Sequence, residues 1–455
     1  MKVEEVKILL ALEPLWTAAV DGKEFIALRA ADIEVEGTTL RFSRYTRRIL
    51  DVQWLRPNVV RLQVRSALRS RTEVVTFYPG DRLPAGIDAR KRRRAFQRQI
   101  AEALCKYFGA RAIERQTLYS DKIHGVGGAY PRFLLRAASH IAAICVDPDE
   151  THAVVNGVMR AAVLWSSVLG RRVSVVVPAG RTQTVASRLQ AAPKLRSGFD
   201  WLQWDGSEIS PLALEAPQPE THIDAYQAPE VGAEVDRICA LAPGLLQPVQ
   251  YIPGRAVSVR LRGIELARVT QNGATYPLGY PLEPIIEEIV RERRHGSRHP
   301  LARAHEERWL ESNLIGSLGK LLPVRSEWIY PQVPSFSGEE RSIIDLLTIT
   351  GDGRLVVIEV KASADPDLPF QALDYWLAVE RHRKAGDFAA KGYFKGIRIQ
   401  DQPALLVLVA PLLAFHKTLD RLVGLLPNSV PLVRIGINQE WKREIKILHR
   451  QGLLS

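Results

Sequence analysis

Cysteine is nearly missing from this chain: Cys105, Cys145 and Cys239 are far apart and odd in number. That spacing excludes a disulfide framework and a zinc knuckle. Long apolar runs are missing too. The most apolar helix candidate, Ala153 to Leu169, is interrupted by Asn156 and Arg160 and is short for a bilayer, so it reads as a buried helix. The N-terminus has Glu4, Glu5 and Glu13 where a signal peptide would carry a basic flank and a clean apolar run, so a cytoplasmic protein with no membrane partner is expected. The glycine-rich run His124 to Gly128 is followed by no phosphate-loop lysine and no dinucleotide fingerprint, and an ordinary turn is expected there.

What is present is a soluble, strongly basic composition. Hydrophobic residues make up 46% and charged residues 25%, enough for sizeable cores, and the net charge of +12 points to a polyanion partner, nucleic acid before anionic membrane. The pattern predicts a multidomain α/β protein. A β-rich region with a basic helix is expected over 1–136, an α/β subdomain over 137–205, a connector with a short hairpin and helix over 206–296, and a further α/β domain over 297–455.

Positive charge is densest at Arg90 to Arg94, where a helix over 88–108 begins. Arg92, Arg93 and Arg94 are candidates for phosphate contact, with a solvated helix face as the plain alternative. Asp149 is expected to cap the helix that follows it. The basic, glycine-interrupted run Arg291 to Arg303, with His295 and His299, reads as a solvated linker, because no acidic or cysteine partner stands at ligand spacing. The loop holding Lys391, Tyr393, Phe394, Lys395 and Arg398 interleaves cations with aromatic rings, as single-strand-binding surfaces do, with a plain structured loop as the favoured alternative.

The most informative stretch is Ser342 to Trp376. Two β-branched-rich runs, Ile343 to Ile349 and Leu355 to Val360, flank Gly351-Asp352-Gly353. A three-residue loop with Gly353 in the left-handed region pairs Thr350 with Arg354 and sets Asp345 opposite Glu359. Strand residues two apart share a face, so Lys361 joins them. A two-residue loop would put Asp345 on the wrong face. Buried charge of this kind is costly unless paired or bound to metal, and two close carboxylates repel unless a cation lies between them.

Asp345, then Glu359-Val360-Lys361, then Gln371 with Tyr375 four residues on, resemble the PD-(D/E)xK nuclease superfamily, in particular its RecB-like and archaeal Holliday-junction-resolvase-like branches. The resemblance covers roughly 297–455, and Ile344 stands where many members carry proline. It implies a restriction-endonuclease-like domain with a central mixed sheet flanked by helices. It further implies magnesium, with manganese as an alternative, held by Asp345, Glu359, the Val360 carbonyl and Glu307, a glutamate placed in the apolar stripe Ala304, Leu310, Leu314 of the preceding helix. Glu306 and Glu311 are the fallbacks for that position. Lys361 and Gln371 would complete the catalytic set, and Tyr375 would pack or touch phosphate. The implied activity is hydrolysis of DNA phosphodiester bonds, in repair or defence, with the N-terminal region choosing the substrate. An RNA nuclease and a non-catalytic nucleic-acid-binding protein remain alternatives, and the oligomeric state is open, a homodimer included.

Overall fold

A computed structural model describes residues 3–22, 24–43, 45–56, 59–65, 72–80, 87–118, 130–148, 152–214, 221–226, 230–251, 256–337 and 340–452. The protein is mixed α/β and divides into two units whose chain segments interleave. The first unit comprises 1–86, 227–316 and 440–445; the second comprises 87–226, 317–439 and 446–455. The boundaries expected after 136, 205 and 296 do not coincide with this division. The helix Ile87–Phe108 belongs to the second unit, and the helix Glu306–Ile315 to the first.

The first unit holds a seven-stranded antiparallel sheet and a four-stranded one. In the larger sheet, strands such as Val59–Arg65 alternate buried and open side chains, the signature of a sheet with one covered face. The smaller sheet is built on the hairpin Ala256–Leu261 and Ile264–Thr270, as its alternation predicts, with Leu246–Tyr251 added at the edge. That edge strand lies in the region expected to be a connector, which also supplies Ile209–Pro211 and Thr221–His222 to two other sheets. These pieces carry little periodicity, and two of them hold proline, which sheets accept at their edges.

Arg291 to Arg303 is a correction of a different kind. Arg293 is fully buried, and its guanidinium donates to the carbonyls of Arg262, Leu301, Ala304 and His305 over the Trp309 ring. A segment that reads as a solvated linker is therefore a packed corner of the first unit.

The second unit holds two sheets. The six-stranded sheet has three parallel strands, His140–Cys145, Val173–Pro178 and Asp200–Trp204, with antiparallel strands outside them. Phe96, Ile100 and Leu104 of the helix Ile87–Phe108 pack in a core with Phe133, Cys145 and Leu202, while the helix His152–Leu169 belongs to a separate core with Val173, Val175 and Val177. That second core also takes in Phe370 and Leu422, so the two sheets of this unit share packing. The seven-stranded mixed sheet runs Thr221–His222, Tyr330–Ser337, Glu340–Ile349, Leu355–Val360, Leu405–Pro411, Leu432–Ile437, Ile447–Gln451 in space. Its central pair, Leu355–Val360 and Leu405–Pro411, is parallel and buried along its whole length, which is why those runs read as continuously apolar. The helix Leu368–Ala385 follows, opening on a proline in its first turn and closing on Gly386 in the left-handed region at φ 75°.

Candidate active site

The turn between Glu340–Ile349 and Leu355–Val360 sets the site. Thr350 and Arg354 face each other, with the Thr350 N–H donating to the Arg354 carbonyl at 2.9 Å, and Gly353 closes the loop at φ 98°. The ladder pairs Leu346 with Ile358 and Leu347 with Val357. Continued by one step, this register puts Asp345 opposite Glu359, as the three-residue loop requires.

Instead of extending the ladder, the Asp345 carboxylate accepts the Val360 N–H at 2.8 Å. That bond turns its charge toward the strand end where Glu359 and Lys361 emerge. Glu359 is 1% exposed, and Lys361 Nζ lies 3.2 Å from its Oε1 and 3.8 Å from Asp365 Oδ2. Tyr375 is buried beside this group. Its hydroxyl is pushed above the usual phenol range by burial and then by the charges of Glu359, Asp345 and Asp374, and it takes a backbone bond from Ile343. Tyr375 is therefore a neutral, largely buried phenol that packs beside the carboxylates. Gln371, one turn earlier on the same helix face, has a buried Oε1 with no hydrogen-bond partner among the described residues.

Asp345 and Glu359 offer hard carboxylate oxygens. Magnesium and manganese take such ligands, magnesium commonly through one or two carboxylates with water and substrate phosphate completing the shell. These residues fit the metal that the resemblance implies.

Other expected residues stand elsewhere. Glu307 is exposed and belongs to the first unit, whereas Asp345 and Glu359 belong to the second. Its helix starts at Glu306 after His305, which sits at φ 45°, so Ala304 and Glu307 are not at helical spacing. The glutamate in the buried stripe is Glu311, 2% exposed and 3.3 Å from Arg260, and Glu306 is paired with Lys442. Tyr393 and Phe394 are not a stacking platform: both are 1% exposed and pack with Tyr330 and Phe388. Lys391 donates to the Ile223 carbonyl at 2.6 Å, while Lys395 and Arg398 are exposed. Of the basic helix start, Arg94 is exposed and Arg93 half-buried, and the Arg92 side chain, like the expected cap Asp149 and the turn at His124 to Gly128, lies outside the described residues.

The structure also gathers residues that no local pattern announces. Arg188 is 1% exposed and clamps Asp374 through Nε at 2.7 Å and through Nη2. Arg160, the interruption in the apolar helix, lies 3.3 Å from Asp367 Oδ1. In the first unit, Glu5, Glu288 and His299 bring ligand atoms within 4.8 Å of one another. There His299 Nδ1 accepts the Leu301 N–H at 3.3 Å, which leaves a proton on Nε2, 3.1 Å from Glu5 Oε2. A metal-bound histidine would instead donate through its other ring nitrogen, so this group is a hydrogen-bonded tie rather than a metal centre.

No protein-family model matches the chain, and no curated protein gives a significant match. Among the described residues no helix is long and apolar enough to cross a membrane.

Proposed function

We propose that the protein is a magnesium-dependent nuclease that hydrolyses DNA phosphodiester bonds, with Asp345, Glu359, Lys361 and Gln371 as its machinery. The observation that carries this reading is the meeting of a carboxylate, a second carboxylate and an ammonium at the end of one buried hairpin. A salt-bridged hairpin needs none of the surrounding features. It would not leave the Gln371 oxygen buried and unsatisfied one turn from Tyr375.

Asp345 and Glu359 would hold the ion, which when bound supplies an acidified water and offsets charge on the scissile phosphate. Asp345 is already oriented by the Val360 N–H, so little reorganisation is required of it. Lys361, held by Glu359 and Asp365, presents a donor and a positive charge to a non-bridging phosphate oxygen or to the attacking water. Gln371, whose Oε1 has no hydrogen-bond partner among the described residues, would accept a hydrogen bond from that water. Tyr375 keeps bulk water from the inner side of the carboxylates.

The test is incubation of the purified chain with single-stranded, duplex and branched DNA and with RNA, with and without magnesium, beside Lys361→Ala and Asp345→Ala. Each variant is expected to lose cleavage by about 10²-fold or more while keeping its circular dichroism. Undiminished cleavage by Lys361→Ala would end the proposal, and cleavage confined to RNA would reassign the substrate.

A further inference from the structure

We propose that Arg160 and His416 form a phosphate-binding subsite beside Lys361, which takes a backbone phosphate of the bound strand next to the one attacked. The inference rests on the nuclease reading for the identity of the strand, but its physical basis is separate.

The first ground is position. Leu355–Val360 and Leu405–Pro411 are parallel neighbours, and open α/β sheets bind ligands outside the carboxyl ends of such strands. Lys361 leaves one of these ends. The chain that leaves the other reaches His416 five residues later. Arg160 arrives from the helix His152–Leu169 of the other sheet and acts on His416 electrostatically, together with Lys417 and Asp365.

The second ground is an unfilled set of donors. Arg160 is 9% exposed, and its Nε is buried without a hydrogen-bond partner among the described residues. Among the described residues its ion pair is to Asp367 at 3.3 Å and lacks hydrogen-bond alignment, and that same Asp367 oxygen is also unsatisfied there. A guanidinium has five N–H donors in a planar fork suited to phosphate. Burial, against the pull of Arg160, raises the Asp367 carboxyl above the usual range. Arg188, in the same unit, shows what a purely structural arginine looks like here: both ends of its fork are taken by Asp374.

The third ground is the histidine. Thr418 engages His416 at Nδ1, through its Oγ1 at 2.7 Å and its backbone N–H at 3.3 Å, so Nε2 is the ring nitrogen that Thr418 does not use. His416 is half-buried. The side chains of Asp365 and Asp367, 30% and 27% exposed, mark an opening to solvent on the same side.

The experiment uses the full chain with calcium in place of magnesium, so that binding is read without turnover. Affinity for a single-stranded oligonucleotide is measured against salt for the parent, Arg160→Gln, Arg160→Lys and His416→Ala, and inorganic phosphate is titrated into each by calorimetry. Arg160→Gln is expected to weaken the oligonucleotide about tenfold and to lower the salt slope by about 0.7–0.9, the value of one lost phosphate contact. Lysine should restore the slope but not the full affinity, because it lacks the fork. Unchanged affinity and slope in Arg160→Gln, with only the melting temperature reduced, would overturn the subsite. If the parent cleaves DNA and Arg160→Gln matches it in KM and slope, the subsite falls and the nuclease reading stands. If phosphate and oligonucleotide binding depend on Arg160 but no substrate is cleaved, the nuclease reading falls and the subsite stands. A parent that binds neither probe removes both.

Discussion

Arg293 in the first unit and Arg160 in the second are the same residue type, 0% and 9% exposed, and they are buried in opposite ways. Arg293 spends its donors on four backbone carbonyls and lies 4.6 Å over the Trp309 ring; Arg160 keeps Nε unsatisfied beside a misaligned carboxylate. Burial of a cation is therefore no guide to its role. What separates a structural cation from one suited to a ligand is whether its hydrogen bonds are complete.

The sharpest break in that comparison should come from Arg293→Met. Although burial pulls this guanidinium down to about 9, it remains cationic at neutral pH, and its removal takes the donor from four backbone carbonyls. A loss of about 3–5 kcal/mol is expected in denaturant unfolding. A loss below about 1 kcal/mol would mean that the corner is not held by its donors. Acid should act on the same corner. Burial, with Arg308 and Arg293 nearby, holds His305 down to about 4, even with Glu13 Oε1 at 3.7 Å. Since the folded value lies below the ordinary 6.5, the unfolded chain binds more protons between the two. Stability should then fall as pH drops from about 6.5 to about 4, by up to about 3 kcal/mol. His305→Phe should flatten that part of the profile.

The same division explains what was legible before the structure. The register of the hairpin could be read because it depends on three adjacent residues. Gly353 alone fixes it, and an alanine there would meet φ 98° and the Arg398 carbonyl at 2.3 Å from its Cβ. Gly353→Ala should cost about 2 kcal/mol and, on the proposed nuclease reading, lower cleavage by disturbing the pairing of Asp345 with Glu359. Gln371 was legible for a similar reason, as the opening of a helix that directly follows the strand. Glu307 was misread because one left-handed residue, His305, resets the helical phase, and phase is all that an apolar stripe offers. Arg160, Asp367 and His416 could not be found by any spacing. Arg188 and Asp374 are 186 residues apart and His299 and Glu5 are 294 apart, so such partners are set by packing and not by pattern.

The smallest expected effect is the most discriminating. Arg160→Met removes a guanidinium whose Nε has no hydrogen-bond partner among the described residues, and methionine is an adaptable apolar replacement for its stem. Replacing an arginine of this kind should change stability by less than about 1 kcal/mol and could raise it, because the desolvation of a poorly paired cation is relieved. The matching change at Arg188 takes its two-pronged clamp from Asp374, which is 29% exposed, and should cost about 1.5–3 kcal/mol. Measured side by side by chemical denaturation, the two substitutions differ in sign or by several-fold if Arg160 is kept for a ligand. Equal losses would place Arg160 with Arg188 and Arg293 among the residues that only hold the fold.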